Sequence, residues 1–150
     1  MVEQTIRAIM IVEVAGRPPE YLKNSLAAHI EKLNAIKGVT LIESKMAEPK
    51  FIDEKNDLYT MFSEVEFETA GLFKMMEVVF EFMPSSVEIL EPLGIELNSQ
   101  EATMFLNDLA GRLHRYDEVA KIAKMQIQQL AQKLQGRATS STKPNPAIQK

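Results

Sequence analysis

Two histidines, three alternating glutamates and a Gly-Arg-Pro-Pro turn carry most of the chemical potential of this 150-residue chain. His114 has Asp117 three residues on and Glu118 four residues on. In a helix those spacings share a face, so the three could meet a divalent ion or form a solvated charge cluster. The cluster is the simpler expectation. His29 falls among Leu22, Leu26, Leu33 and Ile36 at helical spacing, which suits a core histidine better than a ligand. Glu64, Glu66 and Glu68 alternate, so in a strand their carboxylates share one face about 7 Å apart. Three acids in a row repel one another; catalytic pairs need environments that separate two pKa values. They read as a solvated face, or as a contact for Arg112 and Arg115. Gly16 and Arg17 offer backbone freedom and a guanidinium where a helix begins, a place that favours anions. Pro18 and Pro19 withdraw two N–H donors from it.

No recognisable catalytic constellation is present, which disfavours an enzyme, including one that builds its site between subunits. The chain has no Cys, which removes thiolate catalysis, disulfides and cysteine metal sites. No phosphate-loop, dinucleotide, nucleophile-elbow or zinc-protease motif occurs. No catalytic residue, metal site or cofactor is expected. No apolar run is long enough to span a bilayer and none looks like a signal peptide, so no membrane is expected and the compartment should be cytoplasmic.

The elements that would position these residues follow from periodicity. Ile6–Val14 reads as a strand apolar on both faces, hence central and covered on both sides. A helix follows over about 19–36, closed by Gly38. Val39–Met46 is a second strand, prolonged through Phe51 and Ile52 past a bulge at Pro49. The polar segment 53–57 is a hairpin tip. Leu58–Glu68 is a third strand with Tyr59, Met61, Val65 and Phe67 inward. Thr69 caps a short helix with Leu72, Phe73, Met76, Val79, Phe80 and Met83 as its buried stripe. Val87–Leu90 is the last strand. The order is β-α-β-β-α-β, an α+β class, ferredoxin-like antiparallel sheet over residues 1–94, with a long C-terminal helix beyond it. The open sheet face would carry Ile9, Ile11, Leu58 and Phe62 and needs a cover, either the long helix or a second subunit.

That helix spans 98–135, with Asn98 and Glu101 as a capping box and Gly136 as its stop. Its seam, with steps of four and three, is Ala102, Leu106, Leu109, Leu113, Tyr116, Ala120, Ala123, Ile127, Leu130 and Leu134. This heptad pattern predicts a coiled coil, and with Phe62 these residues are the expected oligomer interface. One labelling lets a parallel pair exchange an Arg112–Asp117 ion bond. An antiparallel pair, or a helix folded back at Gly111, serves the seam equally. Residues 136–150 have the composition of a disordered tail.

All 21 Asp and Glu lie before residue 119, whereas 119–150 hold only cations: Lys121, Lys124, Lys133, Arg137, Lys143 and Lys150. An acidic body with a basic end suggests self-association, or a protein or other anionic partner at the C-terminus. A helix dipole accounts for part of it. Nucleic acid is disfavoured, since the body is acidic and lacks a basic, aromatic sheet.

The stretch Val12-Glu13-Val14-Ala15-Gly16-Arg17-Pro18-Pro19-Glu20-Tyr21-Leu22 resembles the opening of the ACT and RAM-type regulatory domains, where strand, a D-R-P-G-x-L loop and helix follow one another. The match covers Arg17-Pro18 and Leu22 in motif and about residues 5–91 in fold. It implies a small-molecule effector, such as an amino acid or other anion, bound near Gly16 and Arg17 at a subunit interface. The residues themselves point first to a non-enzymatic, homo-oligomeric interaction or regulatory module; a sensing domain of that type is the alternative.

Overall fold

A strand whose two faces are both apolar sits in the middle of the sheet. β1 (Thr5–Gly16) turns Ile6, Ala8, Met10 and Val12 into the core and leaves Ile9 and Ile11 half-buried on the opposite face. The computed structural model describes residues 4–140, with side chains to residue 138. The elements after β1 are α1 (Pro19–Glu31), β2 (Val39–Met46), β3 (Lys50–Asp53), β4 (Leu58–Ala70), α2 (Leu72–Phe82), β5 (Ser86–Glu91) and α3 (Ser99–Ser140). The chain divides into two units, residues 1–97 and 98–150.

The first unit is one antiparallel sheet of five strands, ordered β2-β4-β1-β5, with β3 also on β4. Four strands were expected. The second predicted strand is interrupted at residues 47–49, around Pro49, and resumes as β3 against the same neighbour. A proline donates no ladder hydrogen bond, which is why the pairing breaks there. β1 and β4 run unbroken from Thr5 opposite Ala70 to Gly16 opposite Tyr59. That long register places the inward residues of both strands, Met61, Val65 and Phe67 among them, under the helices.

α1 starts where the sequence offers two prolines. Pro18 stays extended, and its carbonyl accepts from the Tyr21 and Leu22 amides. Pro19 takes the first helical position, where its missing N–H costs nothing. Leu22, Leu26 and Ile30 are buried. The helix tightens into a 3-10 turn, Lys32–Ala35, and ends through Gly38 at φ 83°, a left-handed conformation that costs a residue with a side chain about 1–2 kcal/mol. Each fully buried Leu, Ile or Phe contributes roughly 1.5–3 kcal/mol over an exposed one. Two polar side chains share this core, and both are satisfied. Ser63 Oγ donates to the Lys45 carbonyl at 3.1 Å, and Thr69 Oγ1 to the Gly71 carbonyl at 3.0 Å.

α2 corrects two expectations. Thr69 belongs to β4, and Gly71 at φ 85° is the N-cap, without a side-chain cap. The buried residues are Met75, Met76, Val78 and Phe82, whereas Phe73 and Met83 are exposed. The segment LFKMMEVVFEF is apolar nearly all round, so its periodicity does not select a face.

α3 is continuous. The capping box forms as its residues imply: the Glu101 amide donates to Asn98 Oδ1 at 2.8 Å, and the Asn98 amide to Glu101 Oε2 at 3.0 Å. The helix neither folds back at Gly111 nor stops at Gly136; it runs to Ser140. A glycine inside a helix costs about 1 kcal/mol, too little to end one with turns on both sides. Of the expected tail, residues 136–140 are helical, and 141–150 lie outside the described residues. No helix among the described residues is long and apolar enough to cross a membrane.

Candidate functional site

The histidines separate by environment. His29 is half-buried on α1, its ring 4.8 Å from that of Phe82 on α2 and tilted by 44°. Burial lowers its pKa below the ordinary value, the Lys32 charge lowers it further, and Glu81 partly opposes both. It lines an open groove of about 580 Å³ with Val14, Tyr21, Asn24, Ser25, Ala28 and Lys32. All but Val14 come from one face of α1 and the start of the 3-10 turn that continues it, so the groove is the flank of a helix. His114 is exposed and lies 3.2 Å from Glu118, while Asp117 turns to Lys121 at 2.7 Å. The three residues expected to share a face are thus divided between two intrahelical pairs. Among the described residues no group of three or more His, Cys, Asp or Glu could hold a metal ion.

Gly16 closes β1 and Arg17 follows it, exposed. Arg17 Nη1 donates to the Asn56 carbonyl at 2.8 Å, tying the entry of α1 to the hairpin tip between β3 and β4. A Cβ on Gly16 would stand 3.3 Å from Leu22 Cδ2, so the glycine also lets the helix seat closely on the strand. At the same end Phe51 and Tyr59 stack, centroids 4.3 Å apart. Burial raises the Tyr59 pKa above its ordinary value, with the Asp57 charge and hydrogen bond adding to it.

The three glutamates share the sheet face away from α1 and α2, as their alternation requires. Glu64, Glu66 and Glu68 lie opposite Ile11, Ile9 and Arg7 on one side and Lys45, Glu43 and Thr40 on the other. Glu88 and Glu91 extend the acidic rows on β5. Two cations sit in this field: Lys45, 3.8 Å from Glu43, and Arg7, 3.6 Å from Glu66 and 3.3 Å from Glu91. The Arg7 Nε is buried without a hydrogen bond, held by charge alone. Arg7 is absent from the sequence-level candidates because only strand register brings it to Glu66 and Glu91; its one legible sign is a lone cation in an apolar strand. Between Glu43, Lys45, Glu64 and Glu66 there is a crevice of only about 20 Å³, room for one water and no more. Phe62 is half-buried on this face, opposite Glu13.

The seam of α3 is a long row of exposed apolar side chains. Leu106, Leu113, Tyr116, Ile127, Leu130 and Leu134 are each about half or more exposed, from 49% at Tyr116 to 66% at Ile127 and Leu134. Ala120 and Ala123 are exposed with them, and Ala102 and Leu109 are half-buried. The sequence model of the MJ0538 family matches residues 7–138. The chain belongs to that family. The MJ0538 match begins on β1 and ends in the last turns of α3, so sheet and helix fall within one family pattern. No curated protein and no solved structure matches the chain.

Proposed function

We propose that this MJ0538-family protein is a non-enzymatic interaction module that self-associates through α3. The observation that carries the reading is the exposed heptad seam. Exposed Leu and Ile side chains along a helix are a contiguous apolar surface of the kind that marks an interface. Heptad spacing over more than four repeats suits a second helix of the same kind. That the family pattern includes the helix supports a role for it beyond this one chain. The sheet unit then reads as ferredoxin-like, with β2 and β3 counted as one interrupted edge strand on β4. A ligand reading at Gly16 and Arg17, on the ACT or RAM pattern, has less behind it, since the guanidinium serves the Asn56 carbonyl.

The test is sedimentation equilibrium at tens of micromolar, on the wild-type chain and on Ile127→Asp with Leu130→Asp. Charges in the seam should return the protein to monomer while the circular dichroism of the sheet unit is kept. A monomeric wild type, or a double variant that associates as well as wild type, ends the reading.

A further inference from the structure

We propose that two copies pair antiparallel along α3, the basic second half of each helix lying against the acidic first half of the other. This rests on the self-association reading and fixes its geometry. Glu101, Asp108, Asp117 and Glu118 are the acids of α3, all in its first half, which with Arg112 and Arg115 has a net charge of −2. Lys121, Lys124, Lys133 and Arg137 follow with no acid among them. A parallel pair sets these four cations beside their own copies, in a stretch whose sequence holds no acid, although Lys121 keeps Asp117 of its own helix at 2.7 Å. An antiparallel pair brings Lys133 and Arg137 within two residues of the level of the partner's Glu101, while Lys121 and Lys124 come level with its Arg115 and Arg112. Opposed helix dipoles favour the same arrangement.

The ion bond that a parallel pair would have offered is weakened within the chain. Arg112 Nε lies 3.3 Å from Asp108, and Asp117 is 2.7 Å from Lys121. Both members of the interchain Arg112–Asp117 exchange are therefore engaged on their own helix. Packing agrees. Parallel layers would face Tyr116 with the partner's Tyr116, and Ala120 and Ala123 with themselves, alternating crowding and voids. Turned about the midpoint of the seam, near Glu118, every one of its ten residues meets another. Tyr116 faces the partner's Ala120, Leu113 the partner's Ala123 and Leu106 the partner's Leu130. Large against small fills space evenly, which close-packed interiors require.

The absence of Cys makes the test clean, because one introduced thiol carries one spin label. Met104→Cys and Gln132→Cys place labels on exposed positions away from the seam. Dipolar spectroscopy is run on each labelled variant and on their mixture. Antiparallel pairing puts residue 104 level with the partner's residue 132, so the mixture gives a short distance. The two 132 labels then stand roughly 40 Å apart, at 1.5 Å per residue over 28 residues. Short distances in each single variant, and none between 104 and 132, mean a parallel pair and overturn the orientation alone. No interchain coupling in any sample overturns both the orientation and the self-association through α3.

Discussion

Arg7 on β1 lies 3.6 Å from Glu66 on β4 while its other end reaches Glu91 on β5 at 3.3 Å. One guanidinium thus bridges three strands across a face that carries Glu43, Glu64, Glu66, Glu68, Glu88 and Glu91. Carboxylates on neighbouring strands repel, and Arg7 offsets that repulsion where it is densest. Its side chain and that of Glu66 are only 37% and 23% exposed, so the pair is better shielded than a surface bridge. Arg7→Gln should cost about 1–2 kcal/mol in urea unfolding at low salt, and part of that should return in 1 M salt. A variant as stable as wild type at low salt would show that the acids are held apart by solvent alone.

His29 gives the fold a pH dependence with a definite sign. Its folded pKa lies below the ordinary value of about 6.5, first through burial and then through Lys32. Below that value the unfolded chain takes up the proton more readily than the fold, so acidification favours unfolding. Stability contributed by neutral His29 is present above the unfolded pKa and is lost as pH falls through the folded one. His29→Gln should therefore flatten the fall in stability as pH drops below about 6.5, relative to wild type. An unchanged slope would mean that the ring titrates freely despite its contact with Phe82.

What the sequence carried, and what it did not, divides by range. β1 and β4 were readable because alternation fixes which side chains share a face. The capping box was readable because Asn98 and Glu101 are three residues apart. His29 was readable because it falls among leucines at helical spacing. The buried side of α2 was not, since Phe73, Met76, Phe80 and Phe82 surround the helix and only the sheet chooses among them. Arg7 and Glu91 are 84 residues apart, and Arg17 and Asn56 are 39 apart. Such pairs depend on register, which no local pattern states. The heptad spacing of α3 is legible in the sequence, whereas the intrahelical partners of Arg112 and Asp117, on which the proposed pairing direction rests, are not.

Phe62 tests the apolar part of the acidic face. It is half-buried, with Glu13 opposite and Glu64 two residues on. Phe62→Glu removes apolar burial and adds a like charge to both neighbours. The expected loss in stability is roughly 2 kcal/mol or more, read by urea unfolding. A change within about 0.5 kcal/mol, the range of ordinary surface substitutions, would place Phe62 in open solvent.

Gly111 decides whether α3 acts as one rod. It lies inside the continuous helix, and a Cβ built there meets nothing within 4 Å. A glycine in a helix leaves the unfolded chain more freedom than alanine does, and the difference is about 1 kcal/mol. Gly111→Ala should therefore raise the thermal midpoint and helicity of the full chain. Residue 111 is also outside the seam, on the same outward position of the heptad as Met104 and Gln132, so the methyl does not obstruct a paired helix. A straighter helix loses less entropy on pairing, so the variant should associate at least as tightly as wild type by sedimentation. The alternative, in which the chain needs a bend at Gly111 to lay its second half on its first, makes the opposite forecast. There Ala would lower the midpoint and loosen the protein, because it stiffens the one residue the bend depends on.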